Sequence, residues 1–104
     1  MTQESEPDAP ADRADVERQI AQIRERLDAL DAQLVALLNE RATCAGAIGR
    51  LKHTVGLEVY QPDRETEVLN NVRAQNAGPL DADAITRVFE RIIDEARRLE
   101  RVKD

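Results

Sequence analysis

The segment covering residues 23–52, IRERLDALDAQLVALLNERATCAGAIGRLK, combines a long helical pattern with two charges that do not fit it. Its leucines recur every three or four residues, which predicts an amphipathic helix with one apolar stripe. At 100° per residue, Arg41 and Lys52 lie within about 20° of each other in the middle of that stripe, whereas Arg50 points the opposite way. A helix that buries this stripe would also bury two cations.

The composition restricts the class of protein. A chain of 104 residues with 4 glycines, 4 prolines and 35% charged residues is typical of one small all-α domain. The formal charge of −6, from 15 basic and 21 acidic residues, argues against a nucleic-acid binder. The sequence shows no secretory signal and no apolar run of membrane-spanning length, and Cys44 is its only cysteine, so we expect a cytoplasmic protein.

Three helices are predicted after a disordered acidic tail at residues 1–12, within one domain at residues 13–104. The first helix begins near residues 12–15, where aspartates can cap it, and ends at Gly56. The second starts at Gln61 with Pro62 in its first turn and stops before residues 76–79. The third opens at Asp81 or Asp83 and carries apolar residues along one face, namely Ile85, Val88, Phe89, Ile92, Ala96 and Leu99.

The apolar stripe of the first helix is too long for the rest of the chain to cover. About 40 residues at 1.5 Å each span roughly 60 Å, about twice the diameter of so small a domain. Because two short helices cannot shield the whole stripe, we expect a symmetric homodimer in which two long helices lie along each other.

Further charges lie at or near the apolar faces. Glu65 is in phase with the apolar residues of the second helix (Val68, Leu69 and Val72), Arg64 borders them, and Glu100 lies at the edge of the third helix's stripe. One interpretation is that Glu65 pairs with Arg41 or Lys52 in the core while Arg64 and Glu100 are solvated. The other starts from the small residues between Arg41 and Lys52, which leave room for a small dianion that carries a hydroxyl.

The remaining side chains suggest little other chemistry. Cys44 and His53 are nine residues apart without another soft ligand, so we expect no metal site. Cys44 is predicted to be a small core residue and His53 a solvated cation or cap at a helix end. No nucleophile–base pair and no glycine-rich phosphate loop is present. An enzyme built from this set would hold a charged substrate in a reactive shape and stabilise developing charge.

The segment quoted above, followed by YQPDRETEVLNNV (residues 60–72) and ITRVFERIIDEARRLE (residues 85–100), resembles the AroQ-type chorismate mutases over about residues 16–102. The resemblance implies an intertwined all-α homodimer with two active sites, each built from both chains. It also implies rearrangement of chorismate to prephenate, without a cofactor, on the way to phenylalanine and tyrosine.

The resemblance assigns roles residue by residue. Arg24 matches an arginine that reaches into the partner's active site and binds a substrate carboxylate, and Arg41 matches one that binds a carboxylate in its own chain's site. Lys52 matches the lysine that contacts the ether oxygen and a carboxylate. Arg64 matches the site arginine of the second helix, and Glu65 matches the glutamate that accepts the substrate hydroxyl.

Three positions depart from the family pattern. Gln61 replaces an acidic residue near the substrate hydroxyl, and Ala96 replaces a serine that some members have. Glu100 occupies the position of a glutamine or glutamate that donates to the ether oxygen. Because a carboxylate donates only when protonated, Glu100 is expected to carry a proton in the active complex, and catalysis should weaken as pH rises.

Other functions fit the same residues. An isochorismate pyruvate lyase shares the fold and similar pocket charges. A non-catalytic mutase-like dimer that senses pathway metabolites or docks on a partner, such as a shikimate-pathway enzyme, is a binding module. A plain helical dimerisation domain predicts that replacing Arg41 by leucine is neutral or stabilising.

Overall fold

The computed structural model describes residues 12–58 and 61–103, with side chains as far as residue 100. Three helices follow one another: α1 (Arg13–Thr54), α2 (Pro62–Gln75) and α3 (Ala82–Lys103). The predicted all-α fold, with one very long N-terminal helix and two shorter ones, is confirmed. Apart from Asp12, the predicted acidic tail lies outside the described residues.

The helix starts follow the capping signals in the sequence. The Asp15 backbone N–H donates to Asp12 Oδ1 at 2.9 Å, and the Ala84 backbone N–H donates to Asp81 Oδ1 at 2.8 Å. Gln61 is the N-cap of α2 without a side-chain cap bond, and Pro62 occupies the first turn, where its missing N–H has no cost. The two aspartate side chains, Asp12 and Asp81, each satisfy a donor that the first turn leaves without an intrahelical partner.

A glycine reverses the chain at the end of α1. Gly56 has φ +73°, in the left-handed region. The Leu57 N–H donates to the Lys52 carbonyl at 2.9 Å, and the Gly56 N–H donates to the His53 carbonyl at 3.2 Å. This pair of bonds is a Schellman motif, which ends a helix and turns the following segment back. Lys52 therefore lies at the point where the chain leaves α1 for α2.

The chain divides within α1 into two units, Met1–Leu37 and Leu38–Asp104. In the first unit, the large apolar side chains of α1 are 40–61% exposed. They recur at alternating intervals of four and three residues, at Val16, Ile20, Ile23, Leu27, Leu30 and Leu34. This spacing is typical of a helix whose apolar seam lies along another helix.

In the second unit, α2 packs antiparallel to α3. The Arg73 guanidinium of α2 donates to Thr86 Oγ1 at 3.0 Å, while Glu65, two turns earlier on α2, pairs with Arg97, three turns later on α3. The apolar residues predicted to face inward are half-buried at Val68, Leu69, Val72, Ile85, Phe89, Ile92 and Ala96. Val88 and Leu99 of the same predicted face are 49% and 47% exposed.

The single chain lacks a buried core among the described side chains. Cys44 is exposed, so its predicted place in a core is wrong for the single chain. A small apolar residue is buried only where other side chains pack over it, and the described residues leave the Cys44 side chain uncovered. His53 is exposed in the last turn of α1, as expected.

None of the described helices carries an apolar stretch long enough to span a bilayer.

Replacing Gly56 by alanine should lower the free energy of unfolding by about 1 kcal/mol, because a Cβ is disfavoured at positive φ. No atom lies within 4 Å of that Cβ, so the backbone conformation alone sets the cost. Urea unfolding measures the change. Gly56→Asn is the matched control and should lose less, because asparagine tolerates the left-handed region. Equal losses for the two variants would contradict this explanation.

Candidate active site

Lys52, in the last turn of α1, contacts Gln61, the N-cap of α2. The Lys52 ammonium donates to Gln61 Oε1 at 2.9 Å, and Lys52 is half-buried. An amide accepts this hydrogen bond without neutralising the ammonium, whereas a carboxylate at the same place would form an ion pair. Gln61 therefore orients Lys52 and leaves its positive charge in place.

Glu100 of α3 lies against α1 at Gly49. A Cβ on Gly49 would be 3.0 Å from Glu100 Oε2 and 3.4 Å from its Cδ, so the carboxylate occupies the space that the missing side chain leaves. Glu100 is half-buried. Lys52 follows Gly49 by three residues, on the next turn of the same helix. This contact between α3 and α1 thus brings a carboxyl group close to the turn that carries Lys52.

Glu65 of α2 pairs with Arg97 of α3. The Glu65 side chain is 31% exposed and the Arg97 side chain 33%, so the pair is half-buried. The alternative in which Glu65 pairs with Arg41 or Lys52 does not occur in the described chain. The two cations predicted for the substrate are consequently left un-neutralised by Glu65.

Grooves run along the small residues of α1. One, of about 330 Å³, is lined by Ala42, Thr43, Arg50, Leu99 and Glu100, among others. A second, of about 530 Å³, has Arg41 on its wall beside apolar residues that include Leu38, Ile92 and Ala96. Three of the small residues between Arg41 and Lys52, namely Ala42, Thr43 and Gly46, therefore line open grooves.

Two of the predicted site residues stand apart from these contacts. Arg64 is 61% exposed, and its guanidinium pairs with Glu67 of the same helix at 2.6 Å. Arg24 is exposed and belongs to the first unit of the chain. Their roles in substrate binding stay predictions.

The sequence analysis did not single out Arg97. Arg97 and Arg98 are consecutive, and residue type does not distinguish them. Arg97 is in helical phase with Thr86 and Ile93, so it lies on the face of α3 that meets α2. Knowing which face meets α2 requires the register of the two helices, which the sequence alone does not give.

The described residues contain no group of three or more His, Cys, Asp or Glu side chains placed to hold a metal ion. The functional groups at the junction of the three helices are the Lys52 ammonium, the Gln61 amide, the Glu65 and Glu100 carboxyl groups and the Arg97 guanidinium. Such a set suits a small anionic molecule with hydrogen-bonding groups.

The family model described as chorismate mutase type II matches residues 23–101. A bifunctional chorismate mutase/prephenate dehydratase from Neisseria gonorrhoeae is 42% identical over 78 residues, which are 75% of this chain and 21% of that protein. One of the same description from Pseudomonas aeruginosa is 38% identical over 87 residues, 79% of this chain and 24% of that protein. This chain thus spans about a fifth to a quarter of the length of these relatives.

Among solved structures, a chorismate mutase from Thermus thermophilus, form II, is similar with a TM-score of 0.79 and 34% sequence identity. The similarity covers 83% of this chain and 98% of that one. That enzyme and this chain therefore share a fold over nearly the whole length of the shorter protein.

Proposed function

Because the chain belongs to the chorismate mutase type II family, as its sequence patterns predicted, we propose that it converts chorismate to prephenate. One C–O bond of the substrate breaks while one C–C bond forms, so the reaction is an internal rearrangement that needs no cofactor and no covalent intermediate. The observation that carries the proposal is the junction of the three helices. There, Lys52 with Gln61, Glu100 with Gly49 and Glu65 with Arg97 bring family-matched residues to adjoining turns.

The charges would act on the substrate in distinct ways. Arg41, on the wall of a groove, would bind a carboxylate, and Glu65 would accept the hydroxyl. As the C–O bond breaks, negative charge grows on the ether oxygen, and Lys52 would stabilise it more in the transition state than in the ground state. One such donor is typically worth about 3–4 kcal/mol of barrier. Arg64 would supply a further cation after rotating away from Glu67.

We further propose that the active form is a homodimer in which Arg24 of one chain completes the partner's site. The exposed apolar seam of α1, with its alternating four- and three-residue spacing, supports this assembly. A monomer would leave that seam in water. The single cysteine of the chain supports a cytoplasmic location.

Purified protein should convert chorismate to prephenate, and Arg41→Leu should lose at least about a hundredfold in kcat/KM while keeping its helical content, because a carboxylate loses its partner. Arg18→Leu is the matched control, since Arg18 is 67% exposed and lies about 140° from Arg41 around α1. Product identification by chromatography measures the reaction. Turnover of isochorismate alone, or no turnover by a folded dimer, would contradict the proposal.

Glu100 should make the activity of the wild-type protein fall as pH rises, because only the protonated carboxyl group can donate to the ether oxygen. The Glu100→Gln variant donates at any pH and should show a flatter profile of kcat. Steady-state rates between pH 5 and pH 8 measure both profiles. A wild-type profile that Glu100→Gln leaves unchanged would rule out this role.

Gly49→Ala should lower kcat by about tenfold, because the added Cβ displaces the Glu100 carboxylate and misplaced groups lose catalytic power steeply. Helical content should be unchanged, since alanine favours helix over glycine. In a Glu100→Ala background, the same substitution should have little further effect on kcat. A loss of equal size in both backgrounds would mean that Gly49 acts in some other way than through Glu100.

A further inference from the structure

The contact between Glu65 and Arg97 differs from the other ion pairs among the described residues. Those pairs each join positions three or four apart on one helix, whereas this one joins α2 to α3. Both of its side chains are about two-thirds covered. Arg97 also lies 3.6 Å from Asp94 Oδ1 on its own helix.

Packing alone does not account for this pair. The other half-buried residues of α2 and α3 are mostly apolar, as at Val68, Val72 and Phe89. Withdrawing two charges from water costs free energy that their attraction only partly returns, and a well-packed apolar pair often stabilises as much or more. A charged pair within an apolar contact therefore points to a function for at least one of its members.

Glu65 is the member with a proposed role, acceptance of the substrate hydroxyl, so a role for its partner rests on the proposed function. A carboxylate in a site designed for a dianion faces two difficulties. The negative charge of the substrate disfavours the ionised form of the carboxylate. The nearby cations also form ion pairs with the carboxylate, and they are then less available to the substrate. A cation that pairs with the carboxylate without contacting the substrate removes both difficulties.

We propose that Arg97 is a positioning residue that holds Glu65 ionised and apart from Lys52 and Arg41. Its guanidinium contacts Oε2 of Glu65, and a carboxylate has a second oxygen that can accept a hydroxyl. Lys52 is meanwhile bonded to the neutral Gln61. The charges that the substrate's carboxylates require thus stay available, and the acceptor for its hydroxyl stays in place.

A double-mutant cycle with Arg97→Gln and Glu65→Gln tests the proposal. Arg97→Gln alone should lower kcat/KM for chorismate by about tenfold, the scale of a hydrogen bond to a charged group. In the Glu65→Gln background it should have little further effect, because Arg97 acts through Glu65. Arg97→Lys should recover part of the lost activity. This variant also tests the proposal if Arg97→Gln folds poorly.

Arg73→Gln is the matched control, because Arg73 also joins α2 to α3 through its contact with Thr86 but lies at the other end of α2. Urea unfolding and circular dichroism should show comparable losses of stability for Arg73→Gln and Arg97→Gln, with kcat/KM reduced only in the second. Equal losses of kcat/KM, or additive effects in the cycle, would overturn the role of Arg97. A wild-type protein inactive on chorismate would instead overturn the proposed function itself.

Discussion

The fold and the site both depend on the free energy needed to bury an unpaired cation on an apolar helix face. Arg41 and Lys52 interrupt the stripe of α1, where leucine would pack better against another helix. The described chain gives Lys52 only a neutral amide and pairs the nearby carboxylate, Glu65, with Arg97. We propose that this positive charge serves a ligand that the helices surround.

The sequence alone predicted the features that depend on interactions within one helix. The helix boundaries follow from Asp12, Pro62 and Asp81, whose capping roles act within one turn. The inward phase of Lys52 and Glu65 follows from the 3.6-residue period, and the structure leaves both half-buried.

Features that depend on helix register could not be predicted in the same way. The partner of Glu65 is set by how far α2 slides along α3, so Arg97 was missed although its residue type was visible. The contact of Gln61 with Lys52 depends on the chain reversal at Gly56. Cys44 was expected in a core because a free cysteine is usually buried, but burial requires a layer packed over it, which residue type alone does not supply.

We propose that two copies of the chain together complete each site around one dianion. Co-expression of an Arg24→Ala chain with a differently tagged Lys52→Ala chain, followed by tandem purification, yields the heterodimer, which has one intact and one doubly damaged site. We predict about half the wild-type activity per heterodimer, although each variant homodimer is nearly inactive, because Arg24 acts across the interface. A heterodimer as inactive as the two homodimers would contradict a site shared between the two chains.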